Sequence, residues 1–221
     1  MAGDPQLTLG LDGGEAAETV RPLAPGAVLL RGAALANEEA VLRAVEAVVA
    51  AAPLRHMVTP GGFRMSVAMT NCGALGWVSD ATGYRYAPHD PASGEPWPSM
   101  PDAFRDVARQ AAAIAGFAGF EPDACLVNRY AVGARMTLHQ DKNERDLGAP
   151  IVSVSLGLPA IFLFGGDTRA ERPERTLLSH GDVVVWGGQA RLRFHGVAPL
   201  SSGHHPLLGD CRINLTLRKA R

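Results

Sequence analysis

The sequence has few of the features that mark secreted or membrane-embedded proteins. It contains only 3 cysteines, with no Cys-x-x-Cys pair, so we expect reduced core thiols and no disulfide framework. The first ten residues lack a basic region followed by an apolar run, which argues against a secretory signal. No stretch is long and apolar enough to suggest a membrane span. These absences predict a cytoplasmic protein with no membrane partner.

The chain also lacks a surplus of positive charge. Its formal net charge is −1 and its pI is about 6.7, so composition gives no electrostatic case for nucleic-acid binding. Hydrophobic residues make up 47% and charged residues 19%, as in ordinary globular proteins. With 221 residues and no internal repeat, the expected arrangement is a monomer with a flexible tail at 1–20 and one domain at 21–221.

Two helices are predicted in the first half of the chain. Residues 38–52 carry apolar side chains at helical spacing, with Asn37 as the N-cap. A second helix follows Asp102, which we take as its cap, and ends at Gly116. We expect its inward face to consist of Phe104, Val107, Ala111 and Ile114. Both helices are interpreted as support for the core.

From residue 121 the pattern changes to short strands separated by turns. The candidate strands are 124–130, 135–141, 151–157, 160–164, 176–178, 182–186, 191–197 and 211–218, preceded by an early strand at 27–30. Many short strands with glycine-rich turns indicate a jelly roll, a double-stranded β-helix that encloses a pocket. The predicted fold is therefore α+β and mainly β, with a jelly-roll core at about 121–218 buttressed by the N-terminal helices.

Aromatic residues are concentrated in a loop-rich, proline-punctuated segment. Trp77, Tyr84 and Tyr86 lie there, after an alternating stretch that contains Met65, Val67 and Met69. Packing over a sheet edge is the commoner role for such aromatics, and a stacking surface for a planar ligand is the alternative.

The motif around which the chemistry is organised is Leu138-His139-Gln140-Asp141. Side chains alternate along a strand, so His139 and Asp141 are expected on one face. With His195 from another strand, they match a 2-His-1-carboxylate triad, which leaves metal positions open for substrate and O2. His-x-Asp alone is a weak signal, because many such pairs are only solvated polar residues.

Two further strands carry polar residues on one face. Asn128 and Tyr130 share a face of 124–130, while Arg212, Asn214, Thr216 and Arg218 share a face of 211–218. The second set is the wet face of an edge strand in the simpler interpretation. In the functional interpretation its arginines point inward and bind a dicarboxylate, for which guanidinium groups are well suited.

Several long motifs identify a known family. They are MVTPGG at 57–62, MSVAMTNCG at 65–73, PDACL at 122–126, NRY at 128–130, LHQD at 138–141, HGDVVVWGG at 180–188 and NLT at 214–216. With these motifs the chain resembles the AlkB family of Fe(II)- and 2-oxoglutarate-dependent dioxygenases, and is close to the founding bacterial repair enzyme. The resemblance covers nearly all of the chain beyond about residue 20 and implies a nucleotide-recognition lid at about 54–100.

The resemblance implies a role for each matching position. His139, Asp141 and His195 would bind iron, and the 2-oxoglutarate set would be Asn128, Tyr130, Arg212, Asn214 and Arg218, with Arg212 on the distal carboxylate. Trp77 and the His139 ring would stack on either side of a flipped base. The other substrate-contacting positions would be Met69, Tyr84, Tyr86, Arg135, Asn143 and Arg169. Asn143 departs from the family pattern, since an Asp that faces the exocyclic amine of the base is expected there.

The implied reaction is oxidative demethylation of 1-methyladenine and 3-methylcytosine in single- or double-stranded DNA, with RNA as a second candidate. It would consume 2-oxoglutarate and O2 at Fe(II) and release succinate, CO2 and formaldehyde. Two alternatives are a dioxygenase acting on a protein or small metabolite, and a non-catalytic jelly-roll module. The aromatic segment argues against the first alternative, and the presence of the arginines expected to bind the dicarboxylate argues against the second.

Overall fold

The computed structural model describes residues 19–221, and the tail expected at 1–20 lies almost entirely outside them. Two sheets form the core of the described part. The larger has seven strands and the smaller has four. All their strand pairs are antiparallel, as expected for a jelly roll. The predicted fold class is confirmed.

The strand boundaries agree closely with the sequence pattern. The strands are β1 Val20–Ala24, β2 Ala27–Leu30, β3 Ala68–Gly73, β4 Gly76–Asp80, β5 Gly83–Ala87, β6 Ala124–Tyr130, β7 Met136–His139, β8 Ile151–Gly157, β9 Ala160–Phe164, β10 Glu174–Leu178, β11 Val183–Trp186, β12 His195–Val197 and β13 Arg212–Arg218. The strand order is β1-β2-β11-β8-β13-β6-β3 in the larger sheet and β10-β9-β12-β7 in the smaller. Strand β1 was not anticipated, and it pairs with β2 at the edge of the larger sheet. The predicted strands at 135–141 and 191–197 are longer than the observed β7 and β12.

Helices α1 (Glu38–Ala51) and α2 (Asp102–Ile114) cover the outer face of the larger sheet. Val41 of α1 and Phe104 of α2 pack in one buried cluster with Val127, Val154 and Leu215 from the sheet. This apolar packing stabilises the layer because it removes large side chains from water. The inner face of the same sheet remains available for the pocket.

Three details of the helices differ from expectation. Asn37 precedes α1 but its side chain makes no capping hydrogen bond. Asp102 is the first residue of α2, after Pro101 in the cap position, and pairs with Arg105. Ile114, which was expected on the inward face, is 60% exposed.

The aromatic segment is a β-hairpin, which corrects the expectation of an irregular loop. Strands β4 and β5 pair antiparallel, with Trp77 opposite Tyr86 and Ser79 opposite Tyr84. The side-chain amide of Asn71 holds the hairpin with two hydrogen bonds: its Oδ1 accepts from the Trp77 N–H and its Nδ2 donates to the Trp77 carbonyl. The aromatic side chains are therefore carried on a regular two-stranded unit beside the larger sheet.

The edge-strand interpretation of residues 211–218 is wrong. Strand β13 lies between β8 and β6, inside the seven-stranded sheet. Arg212 is only 1% exposed, so its charged face points into the molecule. The three cysteines are free and buried, as predicted. Within residues 19–221, the structure has no helix of the length and apolarity needed to cross a membrane.

Candidate active site

A pocket opens between the inner faces of the two sheets. Strand β6 contributes Leu126, Asn128 and Tyr130 to its lining, because alternate residues of a strand face the same side. The remaining lining side chains include Met136, His139, Ser153, Phe162, Trp186, His195, Arg212, Asn214, Thr216 and Arg218. The pocket thus combines an apolar wall with a concentrated set of histidine, amide and guanidinium groups.

His139, Asp141 and His195 meet at one side of this pocket. Strands β7 and β12 pair with His139 directly opposite His195, and their ring centroids lie 4.4 Å apart. One donor atom from each of the three residues lies within 4.8 Å of the others. Strand β7 ends at His139, so Asp141 reaches the site from the following loop and not from the same strand face as expected.

Backbone contacts fix the orientation of both imidazole rings. His139 Nδ1 lies 2.8 Å from the Thr137 carbonyl oxygen, and His195 Nδ1 lies 3.0 Å from that of Arg193. A carbonyl accepts only from a protonated nitrogen, so each Nδ1 carries the proton and each Nε2 is free as a ligand. Each Nε2 lies 3.7 Å from an oxygen of Asp141.

The protonation states also suit a cation. Burial and the neighbouring His139 ring lower the pKa of His195 to about 4, so this ring is neutral near pH 7. Burial opposes the charge on Asp141, but Arg218 and the two imidazoles outweigh it and hold the pKa of this carboxyl well below its usual range. Arg218 donates from Nε and Nη2 to Asp141 Oδ2, at 2.8 and 2.5 Å. Two neutral imidazoles and one carboxylate are the donor set that binds Fe(II) in oxygenases.

Arg212 lies across the pocket and has unused donors. Its Nη2 donates to Ser155 Oγ at 3.0 Å, whereas its buried Nε and Nη1 have no hydrogen-bond partner within residues 19–221. Burial lowers the pKa of this guanidinium, which faces the Tyr130 ring at 5.0 Å. A buried cation without an anionic partner is costly, so this position fits a carboxylate of 2-oxoglutarate. The buried Asn128 Oδ1 also lacks a hydrogen-bond partner in the described part of the chain.

Asn214 and Arg218 are placed differently from Arg212. Asn214 Nδ2 donates to Ser153 Oγ and the Val154 carbonyl, and its Oδ1 accepts from Thr216 Oγ1. It therefore holds neighbouring strands together while it lines the pocket. Arg218 lines the pocket too, but two of its donor groups bind Asp141.

The residues expected to contact substrate divide into three groups. Trp77 and Tyr84 stack on the hairpin with centroids 5.6 Å apart, and the Trp77 indole Nε1 lies 3.5 Å from Asn143 Oδ1. Arg135 and Arg169 are exposed. Met69 is 0% exposed and packs in a cluster with Leu126 and Tyr130. It lies opposite Asn128 in the β3–β6 pair, so it is on the same sheet face as the pocket lining and packs beside it.

Tyr86 was expected among the substrate contacts, yet its hydroxyl points inward. It donates to Glu144 Oε1 at 2.6 Å. Neither Glu144 nor its second partner, Arg191, was identified from the sequence, and both are buried. They lie in loops without a regular pattern, so no periodicity marks them. Trp186 was also missed as a lining residue, since its strand reads as continuously apolar.

Comparisons with known proteins agree with this geometry. The family model described as 2OG-Fe(II) oxygenase superfamily matches residues 26–218. The chain is 58% identical to the alpha-ketoglutarate-dependent dioxygenases AlkB of Escherichia coli and of Salmonella typhimurium, over 90% of this chain and 92% of each relative. The solved structure of OsALKBH1 superposes with a TM-score of 0.77 at 28% identity, covering 90% of this chain and 99% of that one. The chain therefore belongs to the AlkB family of Fe(II)- and 2-oxoglutarate-dependent dioxygenases.

Proposed function

We propose that this dioxygenase removes N-methyl groups from alkylated bases, with 1-methyladenine and 3-methylcytosine in DNA as its main substrates and RNA as a second one. The observation that carries the proposal is one pocket that joins the His139-Asp141-His195 cluster to the unpaired donors of Arg212. An aromatic hairpin beside it offers a surface on which a planar base can stack. Such a surface suits a planar base better than it suits a peptide segment or a non-planar metabolite.

The residues divide the work between metal, cosubstrate and base. His139, Asp141 and His195 would hold Fe(II), and Arg212, Asn128 and Tyr130 would orient 2-oxoglutarate. When bound, this pair uses O2 to oxidise the methyl carbon, so that 2-oxoglutarate becomes succinate and CO2 and the methyl group leaves as formaldehyde. The protein contributes orientation, since reacting groups held in position avoid most of the entropic cost of an encounter.

Selectivity follows from the cost of extruding a base. A methyl group on the Watson–Crick edge already prevents pairing, so a damaged base leaves the stack more easily than a normal one. Trp77 and Tyr84 would receive the extruded base, while the exposed Arg135 and Arg169 would contact phosphates. This selection does not require a strongly basic protein, which agrees with the net charge of −1.

Matched oligonucleotides test the proposal. Formaldehyde is expected from DNA that contains one 3-methylcytosine or 1-methyladenine, and the lesion should revert to the normal base only with 2-oxoglutarate present. Ribose oligonucleotides of the same sequence measure activity on RNA. If neither nucleic acid is demethylated while peptides or small metabolites are oxidised, the proposed substrate class is wrong.

Asn143 provides a prediction about lesion choice. 1-Methyladenine and 3-methylcytosine are cations at neutral pH, whereas 3-methylthymine is neutral. Replacing the amide by carboxylate adds a charge beside the Trp77 indole. Hydrogen bonds to charged groups exceed neutral ones by about 1 kcal/mol, or about fivefold. We expect Asn143→Asp to raise the ratio of kcat/KM for 3-methylcytosine over 3-methylthymine by that factor.

The neighbouring exposed Lys142 offers the control for this prediction. Lys142→Gln also makes the net charge more negative by one unit, and it should leave the ratio almost unchanged. Equal ratios in Asn143→Asp and the parent protein would mean that residue 143 does not face the base edge.

A further inference from the structure

Four buried charged side chains surround the loop that follows β7. Asp141 and Glu144 supply two carboxylates, and Arg191 and Arg218 supply two guanidinium groups. Glu144 is 7% exposed, Arg191 3% and Arg218 5%. A buried charge that loses its partner is costly, and removing one member of this group leaves another unpaired. The four groups therefore act as one unit.

Glu144 contacts both arginines of this unit and also the aromatic hairpin. Its Oε1 accepts from the Tyr86 hydroxyl at 2.6 Å and lies 3.4 Å from Arg218 Nε. Its Oε2 accepts from Arg191 Nη2 at 3.1 Å. The Glu144 carboxylate thus connects the hairpin to Arg218, which binds Asp141, and to Arg191, which follows β11.

Arg191 fixes the backbone that carries Asp141. Its Nη1 donates to the Asp141 carbonyl at 2.7 Å, and its Nε donates to the Ala149 carbonyl at 3.0 Å. Arg218 holds the Asp141 side chain from the other direction. The position of the Asp141 carboxylate therefore depends on two arginines, and both arginines contact Glu144.

The other end of the connection is the aromatic hairpin. Tyr86 lies directly opposite Trp77 in the β4–β5 pair, so the anchor at the Tyr86 hydroxyl also sets the position of Trp77. Burial raises the pKa of Tyr86 far above its ordinary value, which keeps the phenol protonated as a donor. A two-stranded hairpin is marginally stable by itself and needs such contacts to hold one position.

We propose that Glu144 is a positioning residue that couples the β4–β5 hairpin to the Asp141 carboxylate. An ion that binds Asp141 fixes Arg218, Arg218 fixes Glu144, and Glu144 holds the hairpin through Tyr86. Coupling between two sites is reciprocal, so a ligand on the hairpin tightens the metal site by the same factor. The use of this coupling in substrate selection rests on the proposed function, but the coupling itself does not.

Hydrogen exchange without nucleic acid measures the coupling directly. The hairpin amides at 76–87 are compared in the apoprotein and in protein saturated with Mn(II) and 2-oxoglutarate, which together cannot turn over. In the wild-type protein we expect saturation to slow hairpin exchange about fivefold or more, the lower end of ordinary coupling between sites. In Tyr86→Phe we expect this metal-linked slowing to disappear, because the hairpin has lost its link to Glu144.

Two further variants separate coupling from loss of structure. Tyr84→Phe removes a hydroxyl from the same hairpin without touching Glu144, and it should retain the slowing. Glu144→Gln keeps an oxygen for the Tyr86 hydroxyl but withdraws the charge from both arginines. We therefore expect the hairpin amides of the Glu144→Gln apoprotein to remain protected from exchange. We also expect this variant to bind Mn(II) more weakly and to show at most a small slowing of hairpin exchange when it is saturated.

The outcome that overturns the proposal is equally specific. If Tyr86→Phe and Glu144→Gln show the same metal-linked slowing as the wild-type protein, the hairpin and Asp141 are independent. The same conclusion follows if the wild-type hairpin shows no slowing on saturation, or if Tyr84→Phe loses it as fully as Tyr86→Phe. The absence of nucleic acid keeps this result separate from any test of demethylation.

Discussion

His195→Ala is expected to abolish turnover and to weaken metal binding by more than 100-fold. The variant leaves His139 and Asp141 as the only protein donors at the cluster. Loss of an outer-shell partner costs about 10–100-fold in metal affinity, and loss of a ligand should cost more. Calorimetric titration with Mn(II) measures the affinity, and succinate formation measures turnover.

An exposed histidine serves as the control for His195. His204 lies on the surface, and His204→Ala removes the same side chain without changing the cluster. We expect its affinity for Mn(II) and its turnover to match those of the wild-type protein. Wild-type affinity in His195→Ala would show that His195 is not a ligand and would leave the cluster without its third donor.

Arg212→Met is expected to raise the dissociation constant for 2-oxoglutarate by about 30- to 5000-fold. This range corresponds to about 2–5 kcal/mol, the cost of removing one partner of a buried charge pair. The effect should be large because Arg212 is 1% exposed, lines the pocket and has two buried donors that no described residue pairs. Titration of the Mn(II)-loaded protein with 2-oxoglutarate gives the constant for each variant.

Two companion variants show whether the loss of affinity for 2-oxoglutarate comes from charge, from donor geometry or from strand stability. Arg212→Lys retains the charge without the planar pair of donors, so its loss of affinity should be intermediate. Arg129 is exposed on the neighbouring strand β6, and Arg129→Met makes the same chemical change outside the pocket. Its affinity for 2-oxoglutarate should remain unchanged. An unchanged constant in Arg212→Met would remove Arg212 from the cosubstrate site.

The sequence predicted those parts of the fold whose pattern is local. Strands β6 and β8 match their predicted limits because apolar and turn residues mark both ends. The grouping of His139, Asp141 and His195 was also predicted, from the sequence motif and from the ligands that iron prefers. In the structure their donor atoms lie within 4.8 Å of one another. Periodicity places residues on a face, and the family motifs indicated which faces meet.

The remaining features depend on contacts between distant parts of the chain. The alternation of polar and apolar residues in 211–218 is the same for an edge strand with a solvent-exposed face and for a central strand with a polar face in the pocket. Only the pairing of β13 with both β6 and β8 separates the two. Glu144 was not recognised because its partners Tyr86 and Arg191 are 58 and 47 residues away. A buried ion pair of this kind leaves no periodic trace in the sequence.

The stoichiometry of a single reaction tests the central assignment most directly. Wild-type protein is incubated with Fe(II), O2, 2-oxoglutarate and DNA that carries one 3-methylcytosine, and three products are counted together. We predict one succinate, one formaldehyde and one restored cytosine per event, and little succinate with unmodified DNA of the same sequence. Succinate that forms at the same rate on both DNAs, with 3-methylcytosine left intact, would contradict the assignment.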